Sequence, residues 1–353
     1  MSICSFLLLC LLAGQSFTFP RFEVYWESQA SYMYNEDELH NPWYIDLGAI
    51  DVGAPGYIGG PNTVTIHAAD YCVQNCQEDY PDEFCSQYPP EGVPAKPRTV
   101  DDWGTKFNIT AAMMKEGIAR IHQKGGKVHL AYSDLYSGIA AENGGGSKNI
   151  IEDYMAAHKL ADRIARNVRY WDLDGVDFFF SGISSGQYWC GDVTCDDISP
   201  GSSAIFHFAV IKALRQTFLP ISPSPKRISY TTTHGVDFKP IPCCNYAQHA
   251  NLMTTVIAAS HPYLDWISFK AEDALDDTNL DWMAWLGIPL SKVGAVFVNE
   301  GNNVEHPSTE VMSAAVAKIK ERGLAGLSLF SINEENRVFR GEFARMVAEL
   351  LYL

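Results

Sequence analysis

Eight short runs of β-branched and aromatic residues recur along this chain, and helical patterns separate most of them. The strand-like runs are RFEVYWES (21–28), NTVTIHAADY (62–71), GGKVHLAYSD (125–134), LDGVDFFF (173–180), RISYTTTHG (227–235), LDWISFKAED (264–273), KVGAVFVNEG (292–301) and LAGLSLFSIN (324–333). Before the third run, ITAAMMKEGIARIHQK puts Ile109, Met113, Ile118 and Ile121 roughly on one helical face. NIIEDYMAAHKLADRIARNV, IFHFAVIKALRQTF, AQHANLMTTVIAA and NLDWMAWLG carry the alternation on. STEVMSAAVAKIKERG reads as a helix with Ser308 as N-cap and Gly323 just past its end, and a last helix closes the chain. Eight βα units in 353 residues predict the α/β class and a single-domain (β/α)8 TIM barrel. A doubly wound sheet is the alternative, but no glycine-rich phosphate loop follows the first strand.

The ends and the cysteines point to a compartment. An apolar run from Phe6 to Ala13, followed by small and polar residues and Pro20, is too short to span a bilayer. It has the proportions of a secretory signal peptide, so residues 1–18 are expected to be removed near Ser16 or Thr18, leaving 19–353 as the barrel. No later segment reaches about 18 uninterrupted apolar residues, which predicts a soluble, secreted protein with no membrane partner. Cys4 and Cys10 leave with the signal; Cys72, Cys76, Cys85, Cys190, Cys195, Cys243 and Cys244 remain for disulfides. Cys190 and Cys195 bracket a short polar loop suited to a local bridge. Cys72, Cys76 and Cys85 begin a Cys-rich loop insert of about 72–103, from which one could reach the Cys243–Cys244 pair. Seven is odd, so one thiol is free or makes a disulfide-linked dimer. Asn108 opens an N-glycosylation sequon with Ile109 and Thr110.

Forty-two acidic against 26 basic residues give a net charge of −16, which excludes nucleic acid as a partner because its phosphates would be repelled. Neither EF-hand nor zinc-finger spacing is present, and no metal or other cofactor is expected.

In a barrel of this kind, chemistry collects where strands end, at the C-terminal face. The strand ends supply Tyr25, Trp26, Asp70, Asp134, Asp177 to Ser181, His234, Lys270, Glu272, Asp273, Glu300, Asn333 and Glu334. Carboxylates among aromatics suit a sugar, whose rings stack on aromatic faces and whose hydroxyls bond to carboxylates. His129, inside a strand beside Leu130, reads as a core histidine.

LDGVDFFFSG resembles the fourth-strand signature of family 18 glycoside hydrolases, Asp-x-x-Asp-x-Asp-x-Glu. Asp174, Gly175, Val176 and Asp177 match it in order, and KVHLAYSD, LDWISFKAED and LAGLSLFSIN resemble the family's third, sixth and eighth strands. The resemblance covers about residues 21 to 340. It implies a chitinase-like protein, but the family's third Asp falls on Phe179 and its catalytic Glu on Ser181. In the family, that Glu protonates the leaving oxygen while the neighbouring Asp orients the substrate's own acetamide. A serine hydroxyl is far too weak an acid for the first task, and a phenylalanine cannot do the second. The family's sixth-strand Met-x-Tyr-Asp becomes Lys270-Ala271-Glu272-Asp273, and its eighth-strand Trp becomes Phe330.

The resemblance therefore implies a secreted protein that binds chitin or another N-acetylglucosamine-containing carbohydrate without cutting it. Tyr25, Trp26, Asp134, Asp177, Asp273, Glu300 and Phe330 are the expected lining of the groove, with Asp174 and Asp177 also candidates for pinning strands beneath it. Two alternatives stay open. Catalysis could be rebuilt from Glu272 and Glu300 as an acid–base pair, or from Lys270 as a Schiff-base amine, against its plainer reading as a salt-bridge partner. The barrel could instead be a structural extracellular-matrix protein with a vestigial groove. Period-2 alternation predicts Asp177 and Phe179 pointing into the barrel and Phe178 and Phe180 pointing out.

Overall fold

A computed structural model describes residues 19–27, 47–67, 111–133, 150–180, 200–218, 226–232, 256–298, 307–332 and 340–353. Eight parallel strands pair in sequence order and close on themselves. They are β1 (Arg21–Glu27), β2 (Thr63–His67), β3 (Lys127–Ser133), β4 (Gly175–Phe180), β5 (Arg227–Thr232), β6 (Trp266–Lys270), β7 (Val293–Val298) and β8 (Gly326–Phe330). The barrel closes through β1 and β8, where Arg21 pairs with Gly326 and Val24 with Leu329. The connecting helices are α1 (Ala111–Gln123), α2 (Ile150–Tyr170), α3 (Pro200–Phe218), α4 (Ala271–Ala274), α5 (Asp277–Trp285), α6 (Thr309–Arg322) and α7 (Glu342–Tyr352). This is a (β/α)8 barrel. The expected signal segment 1–18, the expected insert at 72–103, the seven cysteines from Cys72 to Cys244, Asn108, Asp70, Asp134, Ser181, His234, Glu300, Asn333 and Glu334 lie outside the described residues.

Each strand buries both faces, and the two faces differ in chemistry. Outward residues such as Val24, Trp26, Val64, Leu130, Phe178 and Leu329 join one apolar layer with the helices. Burying each such side chain contributes about 1.5–3 kcal/mol. On α1, Met114, Ile118 and Ile121 complete this layer. The α6 caps are those the sequence predicts: Ser308 accepts from the Val311 amide at 3.3 Å, and Gly323 is left-handed with φ 64°. The inward face is polar through its middle, where Glu23, Thr65, His129, Asp177, Ser229, Thr231, Ser268 and Ser328 are all fully buried. One expectation shifts: β6 stops at Lys270, and Glu272 and Asp273 belong to the short helix α4 rather than to the strand. Alanines bracketing two acids in a first turn favour that helix.

The residue just before each even strand is fastened to the preceding odd strand. The amides of Asn62, Asp174, Asp265 and Ala325 donate to the carbonyls of Phe22, Val128, Ile228 and Val293 at 2.9, 2.8, 2.8 and 2.7 Å. At two of these places an aspartate adds its side chain. Asp174 accepts from the Val128 amide at 2.9 Å, from His122 Nε2 at 2.8 Å and from Lys127 Nζ at 3.0 Å. Asp265 accepts from the Ile228 amide at 2.9 Å and from Arg215. His122 and Arg215 both sit in the last turns of the helices that precede the odd strands. Asp174 is thus a staple of the barrel floor with a twin outside the family motif.

Burial alone would raise the Asp174 pKa, but the His122, Val128 and Lys127 donors outweigh it and hold the carboxyl well below the usual carboxylate range. Its stabilisation is therefore present above about pH 4, the unfolded value, and is lost as pH falls through the lower folded value. Asp174→Ala is expected to cost about 2–4 kcal/mol in urea unfolding at pH 7. Asp265→Ala should cost less, because its side chain is 41% exposed against 19% for Asp174. Equal losses would contradict this account of the floor.

Candidate functional site

The C-terminal mouth of the barrel is closed from within by aromatics. Tyr25, Ala131, Phe179, Val296 and Phe330 form a cluster separate from the outer layer, with Val298 packed against it. The Phe179 and Phe330 rings stack at 5.0 Å and 15°, and Tyr25 leans on both at 5.1 and 5.4 Å. Pairs at these separations each contribute about 0.5–1.5 kcal/mol beyond their burial. Strand register brings them together: β8, β1 and β4 present every second residue to the interior, so Phe330, Tyr25 and Phe179 point inward while Phe178 faces the helices.

Asp177 lies directly beneath this plug. Its Oδ2 is 2.8 Å from the Tyr25 hydroxyl, and its Oδ1 accepts from Thr231 Oγ1 at 3.0 Å. Tyr25 and Thr231 hydroxyls are themselves 2.9 Å apart, so Asp177, Tyr25 and Thr231 form one closed polar group. Burial, and then the Glu23 carboxylate deeper in the barrel, push the Asp177 pKa up to about 6, against the donors Ser229 and Tyr25 and the charge of Arg21. Burial and Asp177 also raise Tyr25 well above its ordinary value, which keeps it a hydroxyl donor.

The sign for stability follows from the raised value. The fold favours protonated Asp177, so this contribution is full below about pH 4 and is lost as pH rises through about 6. Asp177→Asn should then raise stability at pH 7 by about 1–3 kcal/mol and flatten the Tm-against-pH curve between pH 4 and 7. An unchanged curve would show that Asp177 does not titrate in the fold.

Comparison with protein-family models finds no match, and comparison with curated protein sequences finds none either. Solved structures do match. A GH18 chitinase from Pseudoalteromonas aurantia aligns at 15% identity and a TM-score of 0.54, covering 94% of this chain and 99% of that one. An endo-beta-N-acetylglucosaminidase from Cordyceps militaris aligns at 12% identity and 0.54, covering 100% and 97%. YKL-39, solved in the presence of chitooligosaccharides, aligns at 10% identity and 0.54, covering 94% and 99%. The chain has the fold of the family 18 chitinases.

On this chitinase fold the candidate residues of the groove and of the strands beneath it fall in three places. Asp174 is at the floor, at the opposite end of β4 from the mouth. Asp177, Tyr25, Phe179 and Phe330 meet at the centre of the barrel, but each is at most 1% exposed. Trp26 points the other way, into the layer between sheet and helices, because it follows Tyr25 directly and alternation sends the two to opposite faces. Its ring presents no surface to a ligand in the groove.

The third place is the rim. Lys270 ends β6 with its amine 2.7 Å from Glu272, and the two side chains are 40% and 77% exposed. A Schiff-base lysine needs an apolar enclosure; this one is a solvated ion-pair partner, the plainer of the two readings. Asp273 is partly exposed in α4, and its carbonyl accepts from Asn279 Nδ2 at 3.2 Å. Among the described residues no group of His, Cys, Asp and Glu could hold a metal ion.

Sequence reading missed the polar column beneath the plug. Glu23 accepts from Ser328 at 2.8 Å and from Thr65, and it pairs with Arg21 at 2.6 Å. The signal was present in Arg21-x-Glu23-x-Tyr25 and Ser229-x-Thr231, polar residues two apart on strands that a barrel buries on both faces.

Proposed function

We propose that this chain is a secreted chitinase-like protein that binds an N-acetylglucosamine-containing carbohydrate and does not hydrolyse it by the family's route. The observation that carries this reading is the Phe179–Phe330 stack over Asp177. An aromatic ring fills the position from which a second carboxylate would reach an acetamide, and Asp177 is sealed below it. Glycan binding is supported by the exposed polar rim at the mouth and by the fold shared with YKL-39, solved with chitooligosaccharides. Removal of residues 1–18, disulfides among the seven cysteines and a glycan on Asn108 belong to the same reading.

The test is turnover of a labelled glycan library by the mature protein, with Glu272→Gln and Glu300→Gln as controls. No released product is expected from any of the three. Turnover that either substitution abolishes would instead establish a rebuilt active site.

A further inference from the structure

We propose that the N-terminal floor of the barrel, the face opposite the mouth, binds a small oxyanion, phosphate or sulfate, through Arg21, His129 and Arg227. Arg21, Lys127 and Arg227 are the first residues of β1, β3 and β5, and Lys292 immediately precedes β7. Every odd strand therefore enters the barrel at a cation, in a chain whose net charge is −16. Two of the four are committed locally. Lys127 pairs with Asp174 at 3.0 Å, and Lys292 donates to the carbonyls of His261 and Leu264 at 2.8 and 2.6 Å.

The other two leave donors unused. Arg21, 6% exposed, spends only Nη2, on Glu23 at 2.6 Å and His129 Nδ1 at 3.0 Å. Its Nε and Nη1 have no partner, and its guanidinium is fixed in place over the Trp266 ring at 4.3 Å. A guanidinium only donates, so His129 Nδ1 must be the acceptor and the ring proton sits on Nε2. That nitrogen is fully buried and also unpartnered. Burial and the charges of Arg21 and Arg227 keep His129 neutral, consistent with this tautomer. Arg227 is exposed at the same floor, where partial desolvation and then the charge of Arg21 lower its pKa against the attraction of Asp265, Asp174 and Glu23, and its guanidinium makes no hydrogen bond or ion pair among the described residues.

Buried donors without acceptors are uncommon and each costs about 1–3 kcal/mol. All of these groups donate and none accepts. A water molecule brings donors of its own that would need acceptors here, whereas an oxyanion is acceptor-only.

The test uses the full chain, titrated calorimetrically and by thermal unfolding with sodium phosphate and separately with sodium sulfate, ionic strength held constant with sodium chloride. A saturable rise in Tm is expected with at least one of the two. Arg227→Gln should weaken binding about tenfold or more, read as the anion-induced rise in Tm above each protein's own anion-free value. The two salts report which oxyanion the floor prefers. An equal response in wild type and Arg227→Gln, or the same rise with chloride alone, would overturn the proposal and leave buried water as the partner of these donors.

Discussion

Phe179→Asp, which returns a carboxylate to the third position of the family motif, is expected to destabilise the protein by about 4 kcal/mol or more and to restore no hydrolysis. Removing a fully buried phenylalanine ring costs about 3–5 kcal/mol by itself, and here it also ends the stack with Phe330 and the contact with Tyr25. The new carboxyl would sit in an apolar cluster above Asp177, whose own pKa is already raised by burial and a neighbouring carboxylate. A second carboxyl in that apolar cluster would stay protonated or open the plug. Phe179→Leu separates the two contributions: it keeps the site apolar and should cost only about 1–2 kcal/mol. Urea unfolding of the three proteins at pH 7 reads the difference. A Phe179→Asp protein as stable as wild type would mean that the mouth is not packed as described.

Glu23→Ala is the second large effect, expected at about 3–5 kcal/mol. Glu23 is fully buried and gathers Arg21, Thr65 and Ser328 around one carboxylate. Truncating it leaves the Arg21 guanidinium buried without a counter-charge and two hydroxyls short of an acceptor. The loss should also reach Asp177, because the Glu23 carboxylate is one of the causes that raise it. The effects of Glu23→Ala and Asp177→Asn are therefore expected to be non-additive in a double-mutant cycle; strict additivity would show that the column does not act as one unit.

These two substitutions lie on opposite sides of what the sequence discloses. The alternation of strand and helix made the barrel legible, since each strand's apolar face had to meet a helix. The tetrapeptide from Asp174 to Asp177 located β4. Period-2 alternation turns Phe179 inward and Phe178 outward, and it sends Tyr25 and Trp26 to opposite faces, so the two cannot both line the groove. Asp174 looked like a motif residue, and its partners His122 and Lys127 come from elements about 50 residues earlier. No local pattern announces them. The Glu23 column was hidden for a related reason: polar alternation on a strand ordinarily signals solvent, and only barrel closure turns that face into an interior. The Lys270–Glu272 pair depended on β6 ending early, a boundary that propensity alone does not fix.

The central claim is a barrel that holds a glycan at its mouth without an acid to cut it. Its most direct test is calorimetric titration of the mature protein with N-acetylglucosamine tetrasaccharide, followed by mass analysis of the sugar recovered from the cell. Saturable heat with an intact tetrasaccharide is the predicted result. Shorter products, or no heat together with an unchanged Tm, would contradict it.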